Sequence, residues 1–456
     1  MKRELSGIQK RKKGPIILAI VFMIVIITVG LKSESLPSFS NEPELKPEVK
    51  KKIRLEDMIS LTQNLVRIRS DYDEGVVANH KEMAAFLADY MRQLGMEVHV
   101  VEPVPNYPTV IGRLKGTKGT PQLGIQGHYN TVIAGDLSKW QFDPFGGEYK
   151  DGRIYGLGAA DMKMDNASSL IAAKAIINAG IKLKGDVVLL YIPGEGAQIH
   201  SLPHIVKSQP ELLKADWYLC AEGGEEIVKI SGGWTWVKVR AKGVSAHVAG
   251  TRGDGKPGRP INAIFKLAKV LTAIENFDGW MTYKKHPLFE RPLYDGKPVV
   301  EAGKIEGGYK VNQVPDWAEA QVDIRLLPGQ SPDRVLAEMR ALIDRLKKED
   351  PEIDVSVEPM TTQWTPMKYW NKLTDDDLLI KAIREIGPAY IGRVPEWSGS
   401  GGNARPDIWE SGAIWVNFGG PSGKGGNAHS PNEWANPEVG VKRAQLWAEL
   451  LFRILE

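Results

Sequence analysis

A chain of 456 residues is longer than one hydrophobic core ordinarily fills, so two domains with additional segments are expected. Charged residues at 25% and hydrophobic residues at 42% are the composition of a globular protein. The formal charge of +3 is concentrated in residues 1–14, which hold six Lys or Arg and one Glu; the remainder carries about −2, which excludes a basic nucleic-acid surface.

Residues 15–31 follow that basic tail as seventeen uncharged residues, at the short end of what crosses a bilayer. They read as a single-pass transmembrane anchor. A cleaved signal peptide competes, but Lys-Ser-Glu-Ser follows with no Ala-x-Ala site. The flanking Lys and Arg place the N-terminus in the cytoplasm and the rest of the chain outside a cell membrane. Residues 32–52, rich in Ser, Pro, Glu and Lys, are expected to form a disordered linker with a reach of roughly 25 Å.

Helical periodicity marks 55–70 and 76–95, and extended segments follow at 109–114 and 122–127. Next come a helix after Asp161, a buried strand at 186–192, a helical stretch near 200–213 and a strand at 216–221. This alternation predicts an α/β domain, a mixed sheet covered by helices, whose first part spans 53–233. From 234 the order becomes strand, helix, two strands, helix, strand, which is ferredoxin-like, so 234–358 reads as an inserted α+β domain. Residues 359–456 return to the first domain with a helix near 378–383, a strand at 413–418 and a closing helix at 437–455. The single cysteine, Cys220, excludes an intrachain disulfide, and its apolar neighbours suit packing better than nucleophilic chemistry.

Chemically capable residues recur just past predicted strands: His128, Glu195, Glu222 and His429, with Asp161 where a strand turns into a helix. In an open α/β sheet the carboxyl ends of the strands share one crevice, so these residues can converge. Two imidazoles and two or three carboxylates suit Zn²⁺. Each also has a plain alternative, a solvated strand-end group or, for Asp161, a helix cap.

The motifs Gly127-His128-x-x-x-Val132, Asp151-Gly-Arg-Ile-Tyr-Gly-Leu-Gly-Ala-Ala-Asp161-Met-Lys163, Gly243-x-x-Ala246-His247 with Asn262-Ala263, Asn312-x-x-Pro315, Asp323-Ile-Arg325-x-x-Pro328, and Ala428-His429 with Asn432-Glu433 together resemble the zinc aminoacylase and carboxypeptidase superfamily. That superfamily includes acetylornithine deacetylase, succinyl-diaminopimelate desuccinylase and glutamate carboxypeptidase. The resemblance runs from about residue 55 to the C-terminus. It implies a two-zinc centre bridged by Asp161, with His128 and Glu222 at the first ion and His429 at the second. It also implies Glu195 as general base, His247 as an oxyanion-stabilising residue, and Arg325 and Asn312 on a substrate carboxylate. The inserted domain would act as lid and homodimer interface.

Three positions depart from the family pattern. Asn130 stands where an Asp normally orients the His ligand, Gly196 where a second-zinc carboxylate is usual, and Asn403 where a Gly-Gly-x-Ala-Arg run commonly has Asp. A one-residue shift would make Glu195 a ligand, although Pro193 favours it as the base; Gln198 and His200 are alternative replacements for the lost ligand, but a surface role suits either better. With Asp161 and Glu222 as the anionic ligands one zinc is expected, with two as the family alternative. The expectation is a membrane-anchored, extracytoplasmic zinc amidohydrolase or peptidase acting on a small N-acyl amino acid or peptide with a free carboxylate. The rival is a catalytically impaired relative that binds a ligand or runs another reaction in the same pocket.

Overall fold

Unbroken apolar runs dictate the centre of the molecule. Strands Gln122–His128 and Asp186–Ile192 are buried at every position, so both faces of the sheet are covered there. Each of the aliphatic side chains from Val187 to Leu190 adds about 1.5–3 kcal/mol by leaving water. The computed structural model describes residues 45–73, 76–77, 79–194, 201–250, 259–276, 299–326, 330–364, 373–400, 408 and 411–456.

The main sheet has eight strands in the order Trp397–Ser400, Ile227–Ser231, Ile414–Asn417, Trp217–Cys220, Gln122–His128, Asp186–Ile192, Thr109–Leu114 and Glu97–Val101. Gln122–His128 runs parallel to Asp186–Ile192 and to Trp217–Cys220, which is in turn parallel to Ile414–Asn417. Thr109–Leu114 and Glu97–Val101 close one side antiparallel. The sheet is therefore mixed, as its sequence pattern suggests. Helices Leu55–Arg67, His80–Gln93, Met164–Asn178, Leu378–Ile391 and Pro437–Leu455 share its core. Met164–Asn178 is buried nearly all round; its small residues Ala167, Ser168, Ala172 and Ala175 let neighbouring elements approach.

Residues 233–364 contain a second, antiparallel sheet, in the order Val299–Gly307, Trp317–Leu326, Gly233–Lys242, Asp354–Trp364. Trp317–Leu326 alternates half-buried and buried side chains, the period-two signature of a sheet with one face in a core. That core is separate from the main one and includes Val237, Val322, Ile324, Leu267 and Met339. Helices Ala263–Glu275 and Pro332–Glu349 supply its other side, and both begin as their sequences dictate. Asn262 Oδ1 accepts from Phe265 N at 3.1 Å, and Ser331 Oγ from Arg334 N at 3.2 Å with Pro332 at the first helical position. The chain order and strand order are those of a ferredoxin-like unit.

Two expectations need correction. Among the described residues no helix is long and apolar enough to cross a membrane, and residues 15–31 lie outside them. The expected transmembrane anchor, and the membrane location read from it, therefore have no helix behind them among the described residues. The end of the expected linker is also ordered: Pro47–Lys50 is helical, Leu45, Val49 and Ile53 are buried in the main core, and Lys46 pairs with Glu456 at 2.5 Å. Composition flagged the Lys and Pro of this stretch, but the apolar residues between them decide its fate.

Candidate metal centre

The parallel strands deliver their carboxyl ends to one edge of the sheet. His128 is the last residue of its strand, and Glu222 lies two residues beyond Cys220. A side chain at Gly127 would place its Cβ 2.0 Å from Asn166 Oδ1. Its absence lets the helix Met164–Asn178 approach, and Asn166 Nδ2 donates to the His128 carbonyl at 2.7 Å.

Asp161 arrives from a tight turn rather than from a helix. Gly158 has φ +77°, and a Cβ there would meet Thr131 Cγ2 at 2.2 Å. The backbone is non-helical at Asp161 (φ −135°, ψ 92°) and Met162 (φ −133°, ψ 38°), and the peptide between them is cis. The following helix starts at Met164, so the helix-cap reading of Asp161 is excluded.

A small sheet brings the C-terminal loop to this turn. Glu148–Lys150 and Arg153–Tyr155 form a hairpin through Asp151 (φ 50°) and Gly152 (φ 75°), the Asp-Gly pair that left-handed two-residue turns favour. Trp434–Ala435 pairs with Arg153–Tyr155, and Gly425–Gly426 pairs with Trp434–Ala435. Between these last two strands lies His429 at φ 60°, in the left-handed region that few non-glycine residues other than Asn, Asp and His occupy.

The side chains then meet. His128 Nε2 lies 3.3 Å from Asp161 Oδ1 and 4.0 Å from Glu222 Oε2, while His429 Nε2 lies 3.3 Å from Asp161 Oδ2. One carboxylate thus presents one oxygen to each histidine. His128, Asp161 and Glu222 each offer a ligand atom within 4.8 Å of the others. His128 is buried, Asp161 and Glu222 are slightly open to solvent, and His429 is half exposed. Burial works to raise the Asp161 carboxyl, but the two facing imidazoles, when protonated, and the charge of Lys424 outweigh it and hold Asp161 well below the usual carboxylate range.

These residues fit zinc by their own chemistry. His128 Nδ1 lies 3.0 Å from the Asn130 carbonyl oxygen, which can only accept, so Nδ1 carries the proton and, in the neutral ring, Nε2 turns a lone pair toward Asp161. Two acceptors facing each other at 3.3 Å call for a cation between them. That spacing is close to the edge of a tetrahedron whose arms are about 2.0–2.1 Å, the usual Zn–N and Zn–O lengths. The expectation that the Asn130 side chain supports His128 is modified, because its backbone carbonyl does so and that group is indifferent to an Asp-to-Asn change.

Residues without an assigned role in the sequence reading surround the ligands. Glu433 accepts from Gly158 N (2.9 Å), Ala160 N (2.9 Å) and Asp161 N (3.1 Å). Burial pushes its carboxyl up to about 7 against those N–H groups, and burial pushes Lys163 down to about 7 despite the charges of Glu433 and Asp71. Arg443, wholly buried, donates to Asp165 Oδ1 at 2.7 Å, and Lys424 holds Asp165 Oδ2 at 2.7 Å. Asn432-Glu433 was visible as a motif; Asp165, Lys424 and Arg443 carried no local signal.

The candidate residues on the insertion are placed differently. His247 is exposed, with its Nδ1 accepting from Ala249 N at 3.1 Å. Asn312 lies beside it, since His247 pairs with Gln313 and Val248 N donates to the Asn312 carbonyl at 3.2 Å. Arg325 sits on the strand Trp317–Leu326, its Nε donating to Asp323 at 2.9 Å. Glu195, Gly196, Gln198, His200 and Asn403 lie outside the described residues.

The chain is similar to proteins of known family. The model of the peptidase family M20/M25/M40 matches residues 124–453. The N-formyl-4-amino-5-aminomethyl-2-methylpyrimidine deformylase of Bacillus subtilis is 27% identical over 304 residues, 65% of this chain and 69% of that enzyme. The succinyl-diaminopimelate desuccinylase of Methylocella silvestris is 27% identical over 385 residues, 80% of this chain and 91% of its own. In fold, human carnosine dipeptidase 1 superposes with a TM-score of 0.72 over 90% of this chain and 99% of its own, at 19% identity. Because that family match spans most of the chain and takes in His128, Asp161, Glu222 and His429 together, the chain belongs to the peptidase family M20/M25/M40 and is a zinc metallohydrolase of amide bonds.

Proposed function

We propose that this metallohydrolase cleaves the amide bond of a small N-acyl amino acid or peptide bearing a free carboxylate, with one zinc held by His128, Asp161 and Glu222. The observation that carries the reading is the convergence of those three donors within 4.8 Å. Bound there, zinc would supply Lewis-acid polarisation of the scissile carbonyl and activation of water. The chain's own residues do the rest. Glu195 takes the proton of the attacking water and passes it to the leaving nitrogen. His247 stabilises the developing oxyanion, and Arg325, Asn312 and Asn403 hold the substrate carboxylate. The Arg325–Asp323 contact fixes the plane of the guanidinium for that task.

Charge supports one ion rather than two. Asp161 and Glu222 neutralise a single Zn²⁺, and Lys424 already places a positive charge near Asp161. His429 then steadies Asp161 from its second oxygen. A homodimer through the insertion is proposed on the apolar side chains it exposes: Phe265 (69%), Tyr309 (75%) and Val311 (99%) border a groove of about 830 Å³.

The test is a panel of N-acyl amino acids and dipeptides assayed alongside zinc content. The wild-type chain should hold about one zinc and turn over a member of the panel, and Glu195→Gln should abolish turnover while keeping the zinc. Absence of both zinc and turnover would contradict the reading.

A further inference from the structure

The C-terminal segment contributes two buried charged side chains that grip the backbone on which the carboxylate ligands sit. Glu433, 1% exposed, gathers the N–H groups of Gly158, Ala160 and Asp161 at 2.9–3.1 Å. Its own carbonyl accepts from Gly156 N at 2.9 Å, so the turn that carries Asp161 is held at both ends by one residue. Arg443 is 0% exposed and donates to the carbonyls of Ala221 (3.3 Å) and Gly223 (2.9 Å), the residues on either side of Glu222. Its other bonds go to the Pro421 carbonyl (3.0 and 3.1 Å) and to Asp165 Oδ1 (2.7 Å), four residues beyond Asp161.

We propose that Glu433 and Arg443 are positioning residues for the metal site, Glu433 setting Asp161 and Arg443 setting Glu222 through the backbone on either side. The inference rests on the zinc site proposed above. The chemistry of each residue fits its task. Gly158 N donates to one carboxylate oxygen and Ala160 N and Asp161 N to the other, so both atoms must accept, which a carboxylate supplies and an amide does not. Carbonyls spread over Ala221, Gly223 and Pro421 need a wide, planar, permanently charged fork; an ammonium is a single point and reaches one of them at a time. Neither ligand lies in regular secondary structure, Asp161 being in a non-helical turn and Glu222 in the loop after Cys220. Without these clamps the two carboxylates would have to be ordered by the metal itself, and affinity would fall by that cost.

The test compares Glu433→Gln and Arg443→Lys with wild type in the full chain, stripped of metal and titrated with zinc against a chromophoric chelator. Gln keeps the volume but turns a donor toward one of the three N–H groups, and Lys keeps the charge but loses the fork. Each variant should bind zinc about ten- to a hundredfold more weakly while remaining folded by circular dichroism. The kcat measured at limiting zinc should fall and be restored by excess zinc, with KM unchanged. A role in folding alone would instead lower the melting temperature and leave the zinc affinity of the folded protein at the wild-type value. That result in both variants would overturn the proposal and leave the zinc site standing. Should one variant fail to fold, the other decides; failure of both with zinc present would mark them as folding determinants and overturn it. A wild-type chain that binds no zinc would overturn both the proposal and the site.

Discussion

The two sheets of this molecule treat their candidate functional residues in opposite ways. In the eight-stranded sheet His128 is buried, Asp161 faces two imidazoles, and both ligand turns are tied by buried charges. In the ferredoxin-like unit His247 and Asn312 sit exposed at the end of a two-stranded ladder, and Arg325 is partly exposed. The difference suits the roles proposed for the two sets of residues. A cation that is present in every turnover rewards a site built in advance, whereas groups that meet a substrate must be reachable before it arrives.

The sharpest way to break that comparison is to remove a residue from each side. Asp161→Asn should lower amide hydrolysis by at least about a thousandfold and weaken zinc binding, since it takes one of the two anionic ligands. His247→Ala should cost about a hundred- to a thousandfold in kcat and leave zinc affinity untouched. If His247→Ala releases zinc, the division between the two units fails. Both are read by steady-state kinetics with zinc titration.

Stability sharpens the same contrast. Leu190→Ala, in the fully buried central strand, should cost about 2–5 kcal/mol in denaturant unfolding. Val311→Ser, at a 99% exposed position of the insertion, should change it by no more than about 0.5 kcal/mol while weakening any dimer seen by light scattering.

Much of this contrast was legible in the sequence. The apolar runs at 122–128 and 186–192 declare buried parallel strands, and the change of order near 233 declares the second unit. His128, Asp161 and Glu222 were visible because each follows a strand or glycine turn, and the motif resemblance joined them. What was hidden depends on distance along the chain. The bonds from Glu433 to the 158–161 turn and from Arg443 to 221–223 span more than 200 residues, and no local pattern encodes them. The hairpin at 148–155 is signalled locally by Asp151-Gly152. Strand Glu97–Val101, at the edge of the sheet, has only exposed and half-buried side chains and no buried apolar run to mark it.

A modest effect concerns pH and the insertion alone. Hydrogen bonds from Lys269 and Lys266 hold the Asp350 carboxyl down at about 2. A carboxyl depressed on folding contributes stability that is full above its unfolded value, near 4, and is lost as pH falls toward 2. Asp350→Asn should therefore lower the melting temperature modestly at pH 7 and cease to matter near pH 2, in thermal melts of the metal-free chain.

The central claim is that a zinc centre stands on His128, Asp161 and Glu222 at the carboxyl edge of the main sheet. Zinc titration of the wild-type chain and His128→Ala, each followed by metal analysis of the folded protein, tests it most directly. The account predicts about one tightly held zinc in the wild type and none in His128→Ala. Retention of that zinc by a folded His128→Ala chain would contradict it.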